Sequence, residues 1–340
     1  MIAVAAAGAI TPVGLDLAET AAAIYTQVQL FEDLNVLDSD GEPLSGMKIR
    51  FADDLAGPAR LAAMAHAVVD EASLRVGPEE RVPLILCCPE AGAFADSPAD
   101  WPAQLLATVI AEAPIAIDRA RSRVIARGRA GTVEALGAAL ALFLKEPTVT
   151  YCLVGGVDCL VDTDRVVALV DDERLLTESN KDGFRPGEAG ALLLLTNRPD
   201  SDAMASWLAA AAGHEEATRG ADRPVTGAGL QEAVSKALAQ AKVAYPSLAC
   251  FAPDFSGEQR YFEEFLLANS RLAKAPVTAA REIPALSVGE TGAAAGFLSI
   301  AMLAFLHSKG VHKRPSLATL SCDGPERGAV VLGPMPERRR

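Results

Sequence analysis

The same succession of elements is written twice along the chain. In the first half an amphipathic helix at Ala59 to Leu74 leads to the apolar run Val82 to Cys88 and the loop Pro89 to Ala95. A second helix, Ala130 to Leu144, then leads to a strand at Val149 to Val154 and to Gly155-Gly156. In the second half a helix at Leu230 to Ala241 leads to a strand at Leu248 to Ala252, the loop Pro253 to Gly257 and, after a glycine-rich turn, a helix at Ala293 to Leu306. Both halves close on a strand after a glycine, Gly190-Ala-Leu-Leu-Leu-Leu and Gly328-Ala-Val-Val-Leu. Short apolar runs bounded by Gly, Pro or Asp are read as buried strands, and their alternation with helices predicts an α/β protein whose sheets are covered on both faces. A repeat this long is a duplicated domain, not a solenoid.

The boundary is expected in Asn197 to Asp202, where turn-forming residues cluster after the strand Leu192 to Leu195, giving halves 1–198 and 199–340 of the 340 residues. A mobile loop is expected at Gly213 to Gly227. Half of the residues are hydrophobic but only 5% are aromatic, so the core must be close-packed Ala, Val and Leu. No uninterrupted apolar run reaches the length of a membrane span, and the N-terminus lacks a basic segment before its apolar run, so the expectation is a cytoplasmic protein without a signal sequence.

A net charge of -13 argues against nucleic-acid binding, which needs a basic face, and against an acidic protein partner. The basic Arg338 to Arg340 is read as a solvated tail. Cys87, Cys88, Cys152, Cys159, Cys250 and Cys322 are scattered through strand-like segments and are read as buried free thiols rather than a disulfide framework or metal knuckle. The four histidines, His66, His214, His307 and His312, form no pattern of metal-ligand spacing, so neither metal nor cofactor is expected. His307 is read as a cation favoured at a helix C-terminus.

Several motifs, in order along the chain, resemble the β-ketoacyl synthase family of the thiolase superfamily. Gly8-Ala-Ile-Thr-Pro-Val-Gly14 is similar to the family's first strand and Thr-Pro-Leu-Gly turn, with Asp16 available as a helix cap. Lys181-Asp-Gly-Phe-Arg-Pro-Gly-Glu-Ala-Gly190 resembles its Arg-Asp-Gly-Phe and Gly-Glu-Gly-Ala-Gly at matching spacing. Gly155-Gly156-Val-Asp158 looks like the Ala-Gly-Gly-Ala-Glu corner, and Pro224 to Leu238 like the run into the helix before the first catalytic histidine. Ser287-Val-Gly-Glu-Thr-Gly-Ala-Ala-Ala-Gly296 resembles the helix start that carries the second. The resemblance implies the thiolase fold, two duplicated α/β halves in an αβαβα layering, and a dimer formed through the strand that leads into the nucleophile's elbow.

The family's chemistry needs a cysteine thiolate at a strand-to-helix elbow and two further side chains, histidines in its elongating members. Aligning Ala135-Leu136-Gly137 on the elbow helix puts Arg129 at the nucleophile's position, with Gly131 and Thr132 at the two small residues after it. An arginine forms no thioester and offers no base. Glu290 falls at the second histidine, and Pro253 or Asp254, depending on a one-residue register, at the first. Ala285 stands for the family's lysine, and Ser321-Cys-Asp-Gly-Pro325 for its Gly-Phe-Gly-Gly turn. Substrate-handling positions depart from the pattern while turn-shaping glycines and alanines remain. The opposite charges of Arg129 and Glu290 predict an ion pair across a vestigial site.

Other polar features have competing readings. Cys88, at the end of a strand, is a candidate displaced nucleophile, weighed against simple core packing. Arg119, Arg121, Arg123, Arg127 and Arg129 are read as a solvated, salt-bridged strand edge or as an anion or acidic-partner contact. Glu188 is assigned to fold support, and Glu258, Glu263 and Glu264 with Arg260 to a polar patch closing the vestigial pocket. The leading functional expectation is a non-catalytic binding or scaffolding protein, a homodimer or a heterodimer with a related subunit. The resemblance allows two versions, an accessory protein of a bacterial secretion or effector-delivery system and a chain-length-factor-like partner of an active ketosynthase. The opposing class is an acyltransferase or hydrolase with displaced catalytic residues.

Overall fold

The apolar run Leu84–Cys88 and the largely apolar Glu188–Thr196 become strands buried on both faces, which fixes the architecture as layers. The computed structural model describes residues 1–38, 40–273 and 278–336; the basic tail Arg338 to Arg340 lies outside them. The first half runs β1 (Ile2–Ile10), α1 (Leu17–Tyr25), β2 (Glu32–Leu37), β3 (Pro43–Gly46), α2 (Gly57–Ala72), β4 (Leu84–Cys88) and α3 (Trp101–Glu112). It continues through β5 (Arg123–Ala126), α4 (Gly131–Lys145), β6 (Tyr151–Cys159), α5 (Thr163–Asp171) and β7 (Glu188–Thr196). The second half runs β8 (Ala205–His214), α6 (Ala228–Ala241), β9 (Cys250–Pro253), α7 (Gln259–Leu272) and β10 (Ala280–Arg281). It ends with α8 (Ala285–Val288), α9 (Ala295–Ser308), β11 (Ser316–Ser321) and β12 (Glu326–Gly333).

Ten strands follow one another in the order β10-β9-β11-β12-β8-β1-β7-β6-β4-β5. Outward from the β8/β1 contact, each half lays down its strands in the same order, and the strand next to the first one is antiparallel to both neighbours. Among the described residues the two sets pair through a short antiparallel stretch, Ile2–Val4 with Ala205–Trp207. The duplication legible in the sequence is therefore a duplication of topology.

Side-chain alternation along the strands sorts the core into layers. Leu193 and Leu195 of β7 join a central cluster with Phe297 and Val330, whereas Leu192 and Leu194 face an outer cluster with Met64 and Val68. On β12, Val330 and Leu332 face the centre, and Ala329 and Val331 face Ala237 and Phe265. Apolar almost all round, α9 is buried between the sheets and packs on β1 and β7 from one half and on β9 and β11 from the other. With α2 outside the first sheet and α6 outside the second, the layering is αβαβα.

Three sequence expectations need correction. Gly155 and Gly156 do not follow a strand but lie inside β6, because a Cβ at Gly155 would collide with Ala191 O and one at Gly156 with Ala293 O, where the turn into α9 presses on the sheet. The segment expected to be a loop from Gly213 begins inside β8, and buried Glu215 ties down the residues after it by accepting from Ala217 N, Thr226 Oγ1 and Gly229 N. His307 is not a helix-end cation: burial pulls its pKa down to about 4, leaving a neutral ring whose Nδ1 donates to His312 O at 2.9 Å.

Candidate functional site

The chain leaves β5, turns through Gly128 at φ +51° and a 3-10 turn at Gly128–Ala130, and enters α4. Glycine suits this turn, since its φ lies in the left-handed region and a Cβ at Gly128 would push the Glu90 carboxylate aside. Arg129 is thereby held at the start of α4 and reaches across to the second half. Its Nη1 donates to Glu290 Oε2 at 2.8 Å, and its Nη2 donates to Asp254 O at 2.8 Å and lies 3.4 Å from Asp254 Oδ1. The guanidinium also sits 5.3 Å from the ring centre of Tyr261. Its Nε is buried without a partner among the described residues.

The carboxylates are fixed independently of Arg129. Glu290 Oε1 accepts the Gly292 N–H at 2.8 Å at the approach to α9, while its backbone is held by Arg185 O and Gly187 N. Asp254, the residue after β9, accepts the Ser321 N–H at 3.0 Å. Of the two residues the register allowed, Asp254 contacts Arg129, whereas Pro253 is the last residue of β9. Burial acts first to lower the Arg129 pKa, but the charges of Glu290 and Asp254 outweigh it and raise the pKa, so the guanidinium is permanently charged. Burial raises the Asp254 carboxyl to about 6, opposed by Arg129 and the Ser321 N–H. Two acidic side chains thus share the Arg129 guanidinium.

Glu290 and Phe184 line two cavities. One, of about 210 Å³, is charged and is bordered by Arg127, Arg129, Asp158, Arg165 and Arg174. The other, of about 400 Å³, is apolar, with Phe31, Leu176, Phe255 and Phe262. The arginines of the charged cavity are matched by carboxylates: Arg127 with Glu134 and Glu326, Arg165 with Asp158, Arg174 with Glu258 and Asp323. Burial raises Asp158 to about 6, although Arg165 and the N–H groups of Ala293 and Cys159 favour its ionised form.

The two registers thus place Arg129, Asp254 and Glu290 together, but they miss Asp158, Arg174, Tyr261 and Asp323, which complete the cluster. Asp158 closes the Gly155-Gly156-Val-Asp158 motif, so its side chain had a signal. Asp323 lay in the segment Ser321-Cys-Asp-Gly-Pro325, already set against the family's turn, but nothing in the sequence joined it to Arg174, which it meets only in the folded chain. Ala285 begins α8 and adds no charge to this cluster. Of the basic run, Arg121 pairs with Asp118 and Glu146, and Arg119 and Arg123 are exposed.

Cys88 lacks the surroundings of a nucleophile. It is fully buried in the outer cluster, and burial, then Asp158 and Glu90, push its thiol well above the ordinary range. Cys87 faces the centre, equally buried and its thiol likewise raised. His66 pairs with Glu112 at 3.0 Å rather than with a thiol. Glu188 accepts two hydrogen bonds of 2.6 Å from buried Arg60 and one from Ile49 N, which is fold support. The patch expected around Glu258 divides: Glu258 joins Arg174 beside the cavity, whereas Glu264 turns inward to a fully buried pair with Arg327. Glu263 accepts from Gln259, and Arg260 donates to the carbonyls of Ala217 and Thr218.

No family model matches the sequence, and no curated protein matches it. Solved structures do. The oxazolomycin ketosynthase domain of Streptomyces albus superposes with a TM-score of 0.78 at 13% identity, over 100% of this chain and 76% of its own. The ishigamide ketosynthase/chain length factor gives 0.79 at 15% identity, over 98% and 99%. A ketosynthase in complex with its chain length factor from Xenorhabdus doucetiae gives 0.70 at 16% identity, over 98% and 97%. The class is therefore defined by architecture: the chain has the thiolase-like fold of the ketosynthases and chain length factors. In this chain the turn between β5 and α4 carries the Arg129–Glu290–Asp254 cluster.

Proposed function

We propose that this chain is a non-catalytic, ketosynthase-like protein that acts by binding another protein in the cytoplasm. The observation that carries the reading is Arg129, locked onto Glu290 and Asp254 at the position where the fold's resemblance calls for a thiolate and its histidines. A guanidinium accepts no acyl group and no proton, and it also occupies space at the wall of the charged cavity. The division into halves 1–198 and 199–340 is proposed with it, supported by the matching strand orders.

Dimerisation is part of the proposal. β5 ends the sheet, paired with β4 on one side only, and an unpaired edge is a template for another chain. The family resemblance implies association through this same strand. Two kinds of partner remain. Pairing with an active ketosynthase, as a chain length factor does, is favoured by the likeness to ketosynthase/chain length factor structures over nearly the whole of both chains. An accessory role in a bacterial secretion or effector-delivery system rests on the resemblance to degenerate members of the superfamily. Affinity capture of the tagged full chain from its native cell separates them: a ketosynthase supports the first, a secretion component the second, and capture of neither overturns the binding role.

Restoring the thiol alone is expected to restore no condensation. Arg129→Cys leaves Asp254 and Glu290 where imidazoles are needed, and groups that act as a unit are strongly non-additive. Turnover of acyl and malonyl thioesters by this single variant, detected by product mass, would contradict the reading.

A further inference from the structure

Three donor groups from distant parts of the sequence meet at the start of β9, at the other end of that strand from Asp254. Cys250 is the first residue of β9, Glu282 follows the two-residue β10, and His312 lies in the loop between α9 and β11. Their ligating atoms, a thiol sulfur, a carboxylate oxygen and a ring nitrogen, all lie within 4.8 Å of one another. The backbone brings them there. Cys250 is paired with Ala280 of β10 and Ser316 of β11, Glu282 N donates to Phe251 O at 2.9 Å, and Ala249 N donates to Pro315 O at 2.7 Å.

A second observation is independent of that proximity. His312 is only 7% exposed, and its Nε2 is buried with no hydrogen-bond partner among the described residues, a state that native interiors avoid. The loop that presents this ring is fixed in place, since His307 donates to His312 O and the two rings meet edge to face at 5.9 Å. Cys250 is fully buried, and its thiol donates to Phe251 O at 3.4 Å, a weak bond that a cation would replace when the proton leaves.

We propose that Cys250, Glu282 and His312 bind one divalent cation of the zinc class. A sulfur, nitrogen and oxygen set suits zinc, with water in the fourth position. Bond lengths of about 2.0–2.3 Å place tetrahedral donors about 3.5 Å apart, so side-chain movement of roughly an ångström closes the site. Binding releases the thiol proton to solvent, and the imidazole coordinates in its neutral form. The cation clips β10, whose two residues are exposed, to β9 and to the loop before β11. Zinc spacing rules could not show this, because the three residues are neighbours only across the parallel strands.

The test is titration of the purified full chain with cobalt(II) and then zinc(II). One equivalent of cobalt is expected to give tetrahedral d–d bands and a thiolate charge-transfer band, displaced by zinc. Cys250→Ser should abolish the charge-transfer band, and Glu282→Gln and His312→Gln should each weaken binding by at least about tenfold. Zinc should raise the melting temperature of the unaltered chain but not of His312→Gln. Glu282 is half-buried, so its variant tests the site even if Cys250→Ser fails to fold. Absence of stoichiometric binding, or binding undiminished in Glu282→Gln and His312→Gln, overturns the proposal.

Discussion

Glu264→Ala is expected to destabilise the full chain by about 3–5 kcal/mol, the cost of leaving one member of a buried ion pair unmatched. Glu264 and Arg327 are both fully buried, joined by hydrogen bonds of 2.7 and 2.8 Å. Arg327 also donates to the carbonyls of Cys322, Gly324 and Glu326, so its charge cannot swing out to water when the carboxylate is removed. Those bonds shape the Ser321–Pro325 turn, which carries Asp323 to Arg174 beside the cavity. Replacing both partners together, Glu264→Leu with Arg327→Met, should cost much less, because no uncompensated charge remains. Urea unfolding of the two singles and the double measures this, and a loss below about 1 kcal/mol in Glu264→Ala would show that the pair is not the anchor of the turn.

Arg129→Ala should have an effect of similar size at neutral pH, about 3 kcal/mol or more, and a larger one than Glu290→Ala. Without Arg129, two buried carboxylates, Asp254 and Glu290, face each other with no cation between them. Without Glu290, Arg129 keeps Asp254 and the Asp254 carbonyl. The pH dependence separates this account from simple loss of packing. The Asp254 carboxyl is raised from 3.8 to about 6 in the folded protein. Between those values the folded state holds a proton that the unfolded state has lost, so this group's contribution favours folding at low pH and declines as pH rises through the window. Removing Arg129 raises Asp254 further, so the deficit of Arg129→Ala should shrink on acidification from about pH 7 to about pH 5. A deficit independent of pH would mean that lost packing, not exposed charge, is responsible.

The legible part of this protein was its local pattern. Apolar runs such as Leu84–Cys88 and Leu192–Leu195 have no alternative to a buried strand, and the turn glycines at Gly128 and Gly289 occupy positive φ that few other residues accept. Arg129 and Glu290 could be paired from sequence because the family resemblance aligns each on a helix start, one with Ala135-Leu136-Gly137 and one with Gly289 and Gly296. Gly155-Gly156 was placed outside its strand because nothing local reveals that the turn into α9 presses on β6 there. The Glu264–Arg327 and Arg174–Asp323 pairs were hidden for a related reason, since each joins segments that meet only after the second half has folded. His307 was misjudged because helix-end electrostatics favours the cation only where water reaches it, and here burial decides.

With Arg129 paired to Glu290 and Asp254 where acyl chemistry would need a nucleophile, the purified full chain incubated with acyl-CoA, malonyl-CoA and acylated carrier protein should keep its mass, read by intact-mass measurement, and leave the malonyl group undecarboxylated. A stoichiometric acyl adduct, in particular one lost in Cys88→Ser, would contradict that expectation and make this chain an acyltransferase with a displaced nucleophile.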